Sequence, residues 1–182
     1  MDHYAGIDVS LECSSVCVVV ITNALLAVHA VLRNEFQAFQ KQVRKMARSD
    51  TRARLLMSTP AVGPIVALTY ASAIDDPARF KSSKRVGAHF GLTPKKYQSG
   101  ETDYTGRISK IGDGSVRTVL YEAAHIMLTK PLKGCSALKS WAMRIARRAG
   151  MSKAKVALAR KLAVIMHRML ADGKPFNAVA AA

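Results

Sequence analysis

The chain has 182 residues, 49% hydrophobic and 22% charged, enough for one sizeable core or two small ones. Its 28 lysines and arginines face 12 acidic residues, a formal charge of +16, so the expected partner is a polyanion, nucleic acid ahead of an anionic membrane surface. Cys13, Cys17 and Cys135 make an odd set without a metal-ligand pattern, which argues against a disulfide scaffold or a structural zinc site and for reduced thiols in a cytosolic protein.

The N-terminus lacks the basic-then-apolar order of a secretory signal. Tyr4 to Ser10 reads as a first strand, and Ser14 to Ile21 as a second strand paired with it. Asp8 is then either the first metal-binding carboxylate of a nuclease-like sheet or a plain surface acid at a strand end. Val16 to Leu32 is nearly uncharged and approaches the length of a membrane span. Its β-branched first half, Thr22-Asn23 and His29 favour strand–turn–strand or strand–turn–helix. From Asn34, a fair N-cap, to Ser49 the period changes: Phe36, Phe39, Val43 and Met46 mark an amphipathic helix. That helix either covers the strands or extends outward and pairs with another protomer.

Leu55 to Ala67 contains a helix end, a Pro/Gly turn and a new helix, the pattern of a helix-hairpin-helix. Backbone N–H groups around Gly63 would bind a DNA phosphate without reading sequence, although the commoner form has glycine where Ala61 stands. The second helix, from about Gly63 to Ile74, stops at Asp75-Asp76-Pro77. Ser82 or Ser83 caps a short helix ended by Gly91. A glycine-rich run from Tyr97 to Arg117 follows, with Ser99 on a tight turn and Lys95, Lys96, Arg107, Lys110 and Arg117 as cations able to hold phosphate oxygens around it. For Ser99 the plainer reading is a hydroxyl that satisfies its own turn.

Asp113 caps a helix from Gly114 to Thr129, with Val116, Val119, Leu120, Ala123, Ala124 and Met127 as its buried stripe. Two more helices, Ser136 to Ala149 and Ser152 to Ala171, carry basic outer faces that include Arg147, Arg148 and Lys153. On the second of them Val156, Ala159, Ala163, Met166 and Leu170 form the expected inner stripe.

With these residues placed, the chain resembles the insertion-sequence transposases that pair a RuvC-like DEDD domain with a C-terminal serine-bearing domain, the bridge-RNA-guided recombinases. The likeness lies in Ser58-Thr59-Pro60-Ala61-Val62-Gly63-Pro64, Phe90-Gly91-Leu92-Thr93-Pro94, Ser99-Gly100-Glu101, Gly106 to Asp113 and Val116-Arg117. Gly6-Ile7-Asp8-Val9-Ser10 matches the first strand of the DEDD domain. The resemblance implies a serine nucleophile that forms a 5′-phosphoserine link, four acids that bind Mg2+, and an active site assembled across protomers with DNA and a structured guide RNA. Carried over, the serine is Ser99 and the first acid Asp8.

Between Asp8 and the hairpin the chain is far shorter than the family pattern, and its carboxylates there, Glu12, Glu35 and Asp50, fit none of the remaining acidic motifs. The expected organisation is a RuvC-like remnant over 1–33, a connecting helix over 34–54, a serine transposase domain over 55–173 and a tail over 174–182. The expected fold class is α+β, mostly α, with a short N-terminal β-stub. The expected function is a transposase by descent with an incomplete metal site, inactive alone, in the bacterial cytoplasm and without membrane association. The alternative is a non-catalytic nucleic-acid-binding remnant that associates with a full-length relative. Either way it would form homo-oligomers or join that relative.

Overall fold

The computed structural model describes residues 13–99 and 102–178. The strand expected over Tyr4 to Ser10, with Asp8, lies outside them.

The first described element is helix α1 (Cys13–Ser49). It replaces both the strand expected over Ser14 to Ile21 and the turn expected at Thr22-Asn23. Asn34 sits inside it and caps nothing. The physical reason is backbone pairing: a two-stranded ribbon leaves half of its N–H and C=O groups unpaired and is marginal by itself. A long helix satisfies its own groups and spreads one nucleation cost over many residues. No helix among the described residues is long and apolar enough to cross a membrane.

Two compact units divide the chain, residues 1–43 and 44–182. In the first, α1 exposes Leu25, Leu32, Phe36 and Phe39, each 61–63% accessible.

The second unit is a helical domain. Asp50 accepts from the N–H groups of Arg52 and Ala53 to start α2 (Thr51–Leu56). A turn leads to α3 (Pro64–Ile74), whose continuous apolar sequence is explained by burial of Ala67, Tyr70, Ala71 and Ile74. Asp75 ends that helix and Asp76 caps a 3-10 turn at Pro77–Arg79, so the acidic pair has helix-end roles. Ser82 caps a second such turn, Ser83–Arg85, which runs into α4 (Val86–His89). Strands β1 (Pro94–Ser99) and β2 (Thr102–Ile108) pair antiparallel, and α5 (Gly114–Thr129), α6 (Ser136–Ala149) and α7 (Met151–Asp172) complete the domain.

Helix α7 is central, packing chiefly on α5 and α6 and also touching α2, α4 and both 3-10 turns. Leu158, Leu162 and Met166 are fully buried there, each contributing about 1.5–3 kcal/mol of apolar burial. Tyr70 donates its hydroxyl to the Ala163 carbonyl at 2.5 Å, tying α3 to α7, and burial pushes the phenol well above its usual titration range. Buried His167 bridges the carbonyl of Pro77 and the hydroxyl of Ser83. A carbonyl only accepts, so Nε2 carries a proton and donates to Pro77.

The fold is α+β and mostly α, as expected. The sheet, however, comes from residues 94–108, where the sequence reading placed the start of a loop.

Candidate nucleic-acid interface

Strands β1 and β2 form an arm. The register pairs Ser99 with Thr102, Gln98 with Asp103, Tyr97 with Tyr104 and Lys96 with Thr105, and a bulge lies between Lys96 and Pro94. All six β1 residues are exposed, so the arm has no face in the core. Ser99 stands at its distal end, beside the two connecting residues that lie outside the description.

The base of the arm is rigid for reasons written in its glycines. The Ser109 N–H donates to the Thr93 carbonyl at 2.9 Å and the Lys110 N–H to that of Gly91 at 3.1 Å. Gly91 and Gly112 have φ of 64° and 87°, and a Cβ at either would lie 2.2 or 2.0 Å from the carbonyl oxygen of Ile111 or His89. Two backbone segments thus approach more closely than any side chain allows. Arg117, one turn into α5, clamps them: its Nη1 donates to the carbonyls of Phe90, Ile111 and Gly112 at 3.1, 3.3 and 3.0 Å. Asp113 caps α5 through the N–H groups of Ser115 and Val116.

This geometry separates residues that the sequence reading grouped. Five strand steps at about 3.3 Å each put Ser99 roughly 17 Å from the base, where Lys110 and Arg117 lie. They therefore do not surround Ser99 within one protomer. Of the five cations placed around the serine, Lys95, Lys96 and Arg107 belong to the arm and are exposed, but Arg107 lies five strand steps from Thr102 and so stands near the base as well.

Two further basic or backbone sites stand apart from the arm. Arg147 and Arg148 close α6 and Lys153 opens α7, so one helix corner carries all three exposed cations. Nearby, Lys161 lies 4.7 Å from the Trp141 ring centroid, and burial together with Arg144 lowers its pKa. At the turn between α2 and α3, Ala61 has φ of 66°, the left-handed conformation for which glycine is the usual choice. Thr59 is buried and donates to the Met169 sulfur at 3.3 Å, and the Ser58 hydroxyl donates to Leu55 and accepts from the Phe176 N–H. Gly63 precedes α3 without a side-chain cap, and Pro64 has no N–H to offer. An open groove of about 670 Å³ runs past Pro60, Ala61, Ile65, Ile126, Leu132 and Lys133.

Sequence reasoning missed the tyrosines. The Tyr97 and Tyr104 rings stack 4.7 Å apart and nearly parallel, at 8°. They remain 46% and 56% exposed. A signal was present: the two tyrosines stand symmetrically about Ser99-Gly100-Glu101-Thr102, as cross-strand partners do. It was hidden because the arm, exposed on both faces, lacks the apolar alternation that marks strands.

A helical domain that presents a narrow arm with exposed lysine, arginine and tyrosine has the chemistry of a nucleic-acid-handling protein. Comparison with known proteins narrows the class. Residues 53–137, from α2 through the start of α6, match the model of the Transposase IS116/IS110/IS902 family. The chain is 31% identical over 144 residues to the Sinorhizobium fredii protein y4pF/y4sB, covering 79% of this chain and 37% of that one. It is 29% identical over 132 residues to the transposase for insertion sequence element IS1111A of Coxiella burnetii, covering 72% and 36%. The transposase for IS1328 of Yersinia enterocolitica is 26% identical over 149 residues, covering 82% and 45%. The chain thus spans less than half the length of these relatives.

Proposed function

We propose that the chain is the DNA-engaging, serine-bearing part of an insertion-sequence transposase and that Ser99 is the residue that joins DNA covalently. The observation that supports this is the arm, which holds the exposed Ser99 at the far end of a ribbon clamped at its base. A two-stranded ribbon is narrow enough to enter a DNA major groove. In the step assigned to Ser99, an Oγ–P bond forms and the P–O3′ bond breaks. The 3′ oxygen leaves as a hydroxyl with the proton the serine gives up, and the DNA keeps a 5′-phosphoserine link.

Lys95, Lys96 and Arg107 are the arm's phosphate ligands, spread along the ribbon from Ser99 toward its base, and Lys110 is a contact beyond the base. Arg147, Arg148 and Lys153 form a second patch, and the amides that follow Gly63 at the hairpin turn a third. Arg117 acts mainly by holding the arm. Mg2+ belongs to the proposal only through Asp8. Among the described residues no group of three or more His, Cys, Asp or Glu stands together, so they do not fit a metal site and no step here is derived through one. Of the acids between Asp8 and the hairpin in sequence, Asp50 caps α2.

Oligomerisation is assigned to α1. Leu25, His29, Leu32, Phe36, Phe39, Val43 and Met46 recur at alternating spacings of four and three, a heptad seam suited to a second copy or to a full-length relative. A structured guide RNA is the further polyanion proposed for the basic surface, and the bacterial cytoplasm, where both nucleic acids are found, is the proposed location.

The test is an adduct assay. Labelled DNA carrying the element's ends is incubated with this chain, a full-length relative and Mg2+, then run on a denaturing gel. The expected result is a DNA adduct at the size of this 19.7 kDa chain that is absent for Ser99→Ala. Binding without any such adduct would establish the non-catalytic remnant instead.

A further inference from the structure

We infer that the Tyr97–Tyr104 pair is a stacking platform for an unpaired DNA base next to the phosphate offered to Ser99. This deepens the proposed function and rests on the reading of the arm as a DNA-engaging element.

Strand alternation places Tyr97 and Ser99 on the same face, two residues apart and so about 6.6 Å along the strand. That is close to the spacing of successive nucleotides in an extended single strand, so a base on the platform sets its own phosphate near the serine. Tyr104, paired with Tyr97 across the ribbon, belongs to the same face. The rings lie parallel at 4.7 Å, an arrangement that also braces the ribbon. The Tyr97 ring leans over Gly106, where a Cβ would come within 3.0 Å of its Cε2. Glycine at 106 therefore lets the ring lie flat on the base side of the pair.

Bracing alone would be met by rings sealed against the protein. These rings are instead about half exposed, on an arm that touches no core. Lys95, on the same alternation as Tyr97, and Arg107 supply cations for the strand's backbone, while Asp103 is engaged by the Gln98 amide at 3.2 Å. Aromatic faces interleaved with cations bind single strands, because every base has a π-face, whereas bases in a duplex are already stacked on one another. The occupant is therefore an unpaired nucleotide of a DNA strand opened at the site of exchange.

The test uses the full chain and a short single-stranded DNA bearing one 2-aminopurine, whose fluorescence falls when it stacks. The expected result is severalfold quenching by the wild-type chain and by Tyr104→Phe. Tyr104→Val and Tyr97→Val keep strong strand formers but remove a ring, so they are expected to lose the quenching and bind roughly tenfold more weakly. The same 2-aminopurine in a duplex is expected to show no added quenching. Unchanged quenching in both valine variants, or equal quenching in single strand and duplex, would overturn the inference. Neither outcome touches the Ser99 adduct, which is read on a separate gel, so failure of the platform and failure of the nucleophile are distinguishable.

Discussion

The role of Arg117 can be decided by one substitution. As a phosphate ligand it would be removable without harm to folding. As the clamp of the arm it would not. Its Nη1 carries two hydrogens shared among three carbonyl oxygens, so roughly two full charge-assisted bonds are present. Charge-assisted bonds contribute about 1.5–3 kcal/mol each where desolvated, and this side chain is only half-buried, so Arg117→Ala is expected to cost about 2 kcal/mol in all. For a domain of this size that lowers the melting temperature by about 4–8 °C. Lys110→Ala and Arg107→Ala, at exposed side chains, are expected to stay within about 0.5 kcal/mol of wild type. The assay is thermal unfolding followed by circular dichroism, run beside DNA titrations at two salt concentrations. Arg107→Ala should weaken binding and flatten its salt dependence by about one counterion. An Arg117→Ala variant that melts with the wild type yet loses DNA affinity in the manner of Arg107→Ala would refute the clamp and restore Arg117 as a phosphate contact.

Three other outcomes follow from particular residues. Ala61→Gly relieves a left-handed conformation that costs an L-residue about 1–2 kcal/mol, partly offset by the added freedom of the unfolded chain, so urea denaturation should show a gain of up to about 1 kcal/mol. Tyr70 is held neutral by burial while its unfolded counterpart titrates near pH 10, so its contribution is fully present below that pH and is lost as pH rises above it. Relative to Tyr70→Phe, the wild type should lose up to about 1.4 kcal/mol per pH unit above pH 10, and parallel stability curves in that range would contradict the burial. Leu32→Glu or Phe36→Glu places charge in the α1 seam and should convert an associated species into a monomer by light scattering, with the circular dichroism of the second unit's helices retained.

Local signals were enough for much of the fold. The helices from Pro64 to Ile74, from Gly114 to Thr129 and from Ser136 to Ala149 lie where the caps and apolar spacing put them, because Asp113, Gly150 and the proline at the head of α3 act over one turn of chain. The buried stripe of α5 differs from the expected one only in Val119, which is half-buried, and in Leu128, which is buried. The two failures have different causes. The β-branched run before Thr22 had strand propensity but entered a long helix that pairs its own backbone groups. The glycine-rich stretch around Ser99 looked like a loop, yet its ends are pinned by Gly91, Gly112 and Arg117 into the base of a hairpin.

What the sequence by itself determined is therefore the helices from Pro64 onward, the basic character and the motif set that leads to the transposase family. These depend on composition and on interactions within a few residues. Only the tertiary structure decided where the cations stand relative to Ser99, since the rise of a strand carries the serine about 17 Å from residues that follow within a dozen positions. The same rise pairs Tyr97 with Tyr104, and the close approach of two glycine backbones, invisible in a list of residues, turns Arg117 from an available cation into the clamp that holds the arm.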